Sequence, residues 1–287
     1  VDAALPLENH AREILCRYLH TVMQEARRAG SEPQEDPVHD VRVAIRRWSQ
    51  ALRTFGDLLP KGMAKRLRRG ARALLDAAGA TRDYDIGVSL LTREGLGEDH
   101  PLLQRWRNER ERAALAVKAH VLLLEAADRE SEWLSALNAP LAPREPAAEF
   151  ARQTLPALAE GFFTAGRKAV QKAGDAARLH AFRLAAKRFR YTLELFSPFY
   201  GPALQVRIGK VREIQSILGK RQDCAVTAER IHPMAEFDPA IAAVYGRLQT
   251  RSARLEEQFL RYWHEAFDAP GELTRWQRYL SRRLPQR

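Results

Sequence analysis

His39-Asp40-Val41-Arg42-Val43-Ala44-Ile45-Arg46-Arg47-Trp48 returns 141 positions later as His180-Ala181-Phe182-Arg183-Leu184-Ala185-Ala186-Lys187-Arg188-Phe189, with the histidine and every cation in register. Downstream, Leu52 and Phe55 recur as Leu193 and Phe196, Arg69 as Lys210, Arg72 as Arg212, Gly79 as Gly219 and Asp83 as Asp223. An offset held over more than forty residues reads as an internal duplication. It predicts two helical halves, 1–138 and 139–287, whose cationic surfaces could face each other across a pseudo-twofold axis and hold one anion.

At about 100° per residue, Arg42, Arg46 and Arg53 fall within about 60° of His39 on one side of a helix. Ala44, Ile45, Trp48, Ala51, Leu52 and Phe55 fall on the opposite side, which is expected to face a core. In the second copy His180, Arg183, Lys187 and Arg190 share one face, and Phe182, Ala186, Phe189, Leu193 and Phe196 the other. The following helix repeats the design, with Leu67, Ala71, Leu74 and Ala78 opposite Lys61, Lys65, Arg68, Arg69 and Arg72; its copy, with Lys210 and Arg212, is weaker.

The chain of 287 residues carries a net charge of +11, and the excess is localised. Residues 41–75 hold ten Arg or Lys and one acid, Asp57; residues 176–212 hold eight and one acid, Glu194. These windows carry +16 between them, and the remainder comes to −5. A solvated helix face usually alternates charge signs at i and i+4, whereas Arg42 with Arg46 and Arg183 with Lys187 are like pairs that repel. An external polyanion would relieve that repulsion. The histidines heading the stripes have no His or Glu four residues on, which argues against metal binding. Each can offer one N–H donor to an anion when neutral and two when protonated.

Apolar spacing is helical throughout, so the predicted class is all-α. Helices are expected over 7–29, 38–58, 61–79, 83–93, 99–127 and 130–138, then over 146–173, 176–198, 201–219, 222–232, 238–268 and 271–284. Gly79 and Gly219 read as helix breaks, with Asp83 and Asp223 as N-caps of the next helix. Pro33 and Pro37 precede the first basic helix, Pro60 follows it, and Pro198 and Pro202 follow its copy. The segment 139–146, with Pro140, Pro143 and Pro146, reads as the linker. Long helices and short loops imply two antiparallel bundles. No run approaches the ~20 apolar residues that span a bilayer, and Val1-Asp2-Ala3-Ala4 does not open a signal peptide. Cys16 and Cys224 are isolated, which suits a reducing cytoplasm and neither a disulfide framework nor a zinc site.

The phrase His-x-x-Arg-x-x-x-Arg/Lys-Arg, present twice and each time followed some forty residues later by Gly-x-x-x-Asp, closely resembles the CHAD family, the conserved histidine α-helical domain. Arg82-Asp83-Tyr84-Asp85 is similar to that family's turn after its second basic helix. Two positions depart from the pattern: Ser49, where the family often has Arg, and Gln222, where Asn is more usual. The resemblance implies a pair of pseudo-twofold-related four-helix bundles with a central basic cavity that binds inorganic polyphosphate, with phosphate or sulfate as mimics, and association with polyphosphate granules. Carried over by position, the ligand-facing residues are His39, Arg42, Arg46, Arg53, Arg69 and Arg72 in the first half and His180, Arg183, Lys187, Arg190 and Lys210 in the second. The Glu-x-Glu-x-Lys strand of an attached triphosphate-hydrolysing CYTH domain is missing from the sequence, which therefore reads as a stand-alone member.

The expected function is non-catalytic polyphosphate binding without a cofactor. Polyphosphate has about one negative charge per unit and no bases, so Arg and Lys geometry must supply recognition. The alternative is nucleic-acid backbone binding, but sequence-tolerant single-strand binders add exposed aromatic platforms. Trp48, Phe55, Phe189 and Phe196 all fall on the core side here. Phosphoryl-transfer chemistry would need positioned metal ligands, and the basic windows contain only Asp57 and Glu194 as acids. There is no Walker-type Gly-x-x-x-x-Gly-Lys-Ser/Thr.

Overall fold

The computed structural model describes residues 2, 4–172 and 174–282. These form two compact helical units, one of Pro6–Arg144 and one of Glu145–Arg287 joined by Val1–Leu5. The all-α class expected from periodicity holds, with eleven α-helices and one short 3-10 turn among the described residues.

The first unit contains α1 (Leu7–Ser31), α2 (Glu35–Thr54), a 3-10 turn (Gly56–Leu58), α3 (Met63–Gly70), α4 (Arg72–Arg93), α5 (Pro101–Ala126) and α6 (Arg129–Asn138). Four long helices close a ring, α1 packing on α2 and α5 while α4 packs on the same two; α6 lies against α1 and α5. The core side of α2 is the one expected, since Val41, Ala44, Ile45, Trp48, Ala51, Leu52 and Phe55 are all buried. Trp48 stacks on Trp133 of α6 at 5.3 Å between ring centroids, which fixes α6 to the bundle.

The second unit contains α7 (Ala147–Gln171), α8 (Ala176–Tyr200), α9 (Pro202–Ala235), α10 (Pro239–Ala266) and α11 (Glu272–Ser281). Successive long helices pack in order, and α11 returns onto α7. Its core is aromatic: Phe162 stacks on Phe189 at 4.9 Å and meets Phe182, Trp263 and Phe267, while Trp263 stacks on Phe267 at 5.2 Å. Aromatic pairs in such offset or edge-on arrangements add about 0.5–1.5 kcal/mol each beyond the area they bury.

The breaks expected at Gly79 and Gly219 do not exist. Helix α4 runs unbroken through Gly79 and Asp83, and α9 runs through Gly219 and Asp223, so neither aspartate is an N-cap. The chain bends earlier instead, at Ala71 between α3 and α4. A glycine inside a helix costs about 1 kcal/mol against alanine, too little to end a helix flanked by Ala77, Ala78 and Ala80. Several of these glycines are contact points. A Cβ on Gly87 would collide with the Trp106 indole, and one on Gly166 with that of Trp263. Pro198 likewise lies inside α8, two residues from its end, and Pro202 opens α9 where a missing N–H costs nothing.

The seat at Gly166 is testable. Gly166→Ala should destabilise the protein by about 1–3 kcal/mol in urea denaturation, because the new methyl overpacks against an indole. Gly161→Ala, in the same helix and with no neighbour within 4 Å, should be neutral or stabilising by up to about 1 kcal/mol.

Candidate functional site: a cationic cluster on helices α2 and α4

The first stripe lies where the wheel puts it. His39 is exposed, Arg42 and Arg46 are half-buried, and Arg53 is exposed one helical stretch further on, all opposite the buried face of α2. Helix α4 runs antiparallel to α2 and completes the group. The Arg42 guanidinium rests on Gly79 of α4, its Nη1 2.5 Å from where a Cβ would stand. One turn along α4, Arg82 donates from Nη1 to Oε1 of Glu35 at 2.5 Å.

His39 reports the field of this group. Its pKa lies below the ordinary 6.5, first because surrounding protein atoms partly desolvate the charged ring and then because Arg82, Arg42 and Arg46 repel a proton there; Asp40 opposes them. Asp40 itself is directed to α1, where Arg28 Nη2 stands 3.1 Å from its Oδ2. The acid next to the histidine is thereby engaged by a cation outside the stripe. The result is one histidine ring that feels the charges of three arginines, with Glu35 bonded to Arg82 and Asp40 opposing them at the ring.

The remaining first-half candidates stand apart from this cluster. Arg72, at the start of α4, donates from Nε to both Asp76 carboxylate oxygens at 2.7 and 2.9 Å, an exposed i,i+4 pair worth a few tenths of a kcal/mol. Arg69, on α3, lines a groove against α5 and α6.

In the second unit, α8 presents His180 exposed and Arg183 and Lys187 half-buried, opposite buried Phe182, Ala186, Phe189 and Leu193. Arg190 is differently employed. It donates from Nη1 to Glu194 Oε1 and from Nε to Gln215 Oε1, both at 2.6 Å, and its guanidinium lies 4.5 Å from the Tyr191 ring centroid. Gln215 in turn donates to the Ala186 carbonyl, so Arg190 ties α8 to α9. Lys210 is directed to α11, with Nζ 3.7 Å from Glu272 Oε1. Gly219 has no neighbour within 4 Å of its would-be Cβ, so the seating of Arg42 on Gly79 is not repeated there.

Arg82 and the role of Gly79 were missed from sequence, for one reason. Once Gly79 is read as a break, residues 82–85 become a turn. With the helix continuous, three of these residues grip two elements: Arg82 holds Glu35 of α2, while Tyr84 sits edge-on to Trp106 of α5 and Asp85 accepts from Arg110 Nε of the same helix at 2.9 Å. The signal was the Ala-rich context, which favours helix across the glycine.

A family model for the CHAD domain matches residues 13–232. The crystal structure of the CHAD domain from the plant Ricinus communis is similar at a TM-score of 0.65 and 22% identity, covering 100% of this chain and 96% of that one. PptA from Streptomyces chartreusis is similar at 0.64 and 17% identity, covering 92% and 99%. At these identities the likeness is one of fold. No curated protein matches the chain.

The His39 environment gives a signed expectation. A histidine whose folded pKa is depressed contributes stability above its unfolded pKa and loses it as pH falls through the folded value. Relative to His39→Gln, the wild type should therefore lose stability as pH drops below 6.5, and NMR titration of the His39 ring should show a midpoint below that value.

Proposed function

Because this chain belongs to the CHAD domain family, its match spanning residues 13–232, we propose that it is a non-catalytic binder of inorganic polyphosphate. The observation that carries the reading is the gathering of Arg42, Arg46 and Arg82 around His39, where their charges add to desolvation in lowering the pKa of the ring. Guanidinium groups fork two N–H donors onto adjacent phosphate oxygens, so a row of arginines suits a polymer of closely spaced phosphates. Like charges gathered on one face repel one another until such a polymer neutralises them. His39, Arg42, Arg46 and Arg82 form the proposed contact set of the first unit, with Arg53, Arg69 and Arg72 extending it. His180, Arg183 and Lys187 form that of the second. Arg190 and Lys210, already held by carboxylates, contribute field more than direct contact. Association with polyphosphate granules follows from this binding.

The aromatic residues of the basic helices support polyphosphate over nucleic acid. Trp48, Phe55, Phe189 and Phe196 are buried, which leaves the basic helices no aromatic stacking platform for bases.

Isothermal titration with medium-chain polyphosphate at ~150 mM salt tests the reading. Arg42→Ala with Arg46→Ala should weaken binding at least tenfold and lower the log–log salt slope by about two, one per lost phosphate contact. Arg183→Ala with Lys187→Ala should weaken it comparably if both units engage the polymer. Binding should also tighten as pH falls below 6.5, because a bound polyanion raises the depressed His39 pKa and proton uptake accompanies association. RNA competing on equal terms with polyphosphate would overturn the assignment.

A further inference from the structure

Between the α3–α4 bend and the α5–α6 hairpin of the first unit lies a groove of about 520 Å³. Leu74, Leu123 and Leu124 form its walls, and Arg66, Arg69 and Arg129 its rim. Its size falls within the roughly 300–1,000 Å³ of ligand-sized pockets. At its base α3 comes down onto α6, a Cβ on Gly70 standing only 2.5 Å from the Trp133 indole.

Three observations specify an occupant. The rim carries three guanidinium groups and a single carboxylate, Glu132, which Arg129 already holds, so it is complementary to a dianionic head such as a phosphate monoester. The wall is aliphatic and left open. Leu123 is 64% exposed, and on the same helix Leu122 and Leu115 continue the apolar track at 55% and 67%. Exposed Ala119 and Ala126 fill the spaces between them. Burying a leucine is ordinarily worth about 1.5–3 kcal/mol, so three left in water on one helix mark a surface that gains from a cover. Finally, among the described residues no Asn, Gln, Ser or Thr lines the groove; its polar lining is Arg66, Arg69, Arg129, Glu132 and His120, a set weighted towards an anion.

We infer that this groove binds a phosphate-headed aliphatic chain, with the head against Arg66, Arg69 and Arg129 and the chain along Leu123, Leu122 and Leu115. Apart from Arg69, which the extended polyphosphate contact set shares, it is distinct from the His39 cluster, which is built from α2 and the Gly79–Arg82 stretch of α4, and it does not depend on the polyphosphate reading.

Calorimetry of the full chain with dodecyl phosphate below its micellar concentration tests this. Wild type should bind it at least tenfold more tightly than it binds inorganic phosphate, AMP or dodecyl maltoside. Arg66→Ser with Arg129→Ser should weaken binding at least tenfold by removing the head contacts. Leu123→Asp should do the same by spoiling the wall, while leaving the thermal midpoint and polyphosphate affinity unchanged. Equal binding of dodecyl maltoside, equal binding of AMP, or an intact affinity in Leu123→Asp would each overturn the inference. So would self-association of wild type, abolished by Leu123→Asp, without dodecyl phosphate binding, since the leucine track would then be a contact between copies of the chain.

Discussion

The first unit depends on how closely α4 can approach α2. A guanidinium can lie across a helix backbone only where no side chain intervenes, and Gly79 supplies that place for Arg42. The same approach brings Arg82 to Glu35 and into the field of His39. Helix–helix distance normally follows from the side chains at the contact. Here it follows from the lack of one, so a glycine that weakens α4 locally by about 1 kcal/mol is retained where a cation must be seated.

Charge is organised around that contact. A row of like charges on a helix is unfavourable, and several nearby acids hold other cations: Asp40 holds Arg28 of α1, Asp76 holds Arg72 and Asp85 holds Arg110 of α5, while Glu35 holds Arg82. In the second unit the equivalent helix neutralises part of its stripe internally, through Arg190 with Glu194. The two stripes are alike in sequence and unlike in electrostatics. At the position of Glu194 the first unit has Arg53, and at that of Arg190 it has Ser49.

Helix existence, the buried face of each basic helix and the concentration of charge were all legible from periodicity. Val41, Trp48, Leu52 and Phe55 are buried as their spacing requires, because a 3.6-residue repeat leaves one side of a helix to face the core. Helix boundaries were less legible. The bend at Ala71 and the continuity through Gly79 and Gly219 were missed because a helix-breaking glycine and a contact glycine look alike until the neighbour is known. Trp133, Trp106 and Trp263 are the neighbours at Gly70, Gly87 and Gly166, and each is far from its glycine in sequence.

By itself the sequence determined that this is a helical protein that gathers its cations on one face of a repeated helix, since both properties follow from residue type and local period. Tertiary structure decided which cations act together. Arg82 joins His39, Arg42 and Arg46, whereas Arg190 and Lys210 turn to Glu194, Gln215 and Glu272. The reason is physical: a cation's role is set by whichever carboxylate or glycine a second helix places within a few ångströms, and helical periodicity carries no information about that second helix.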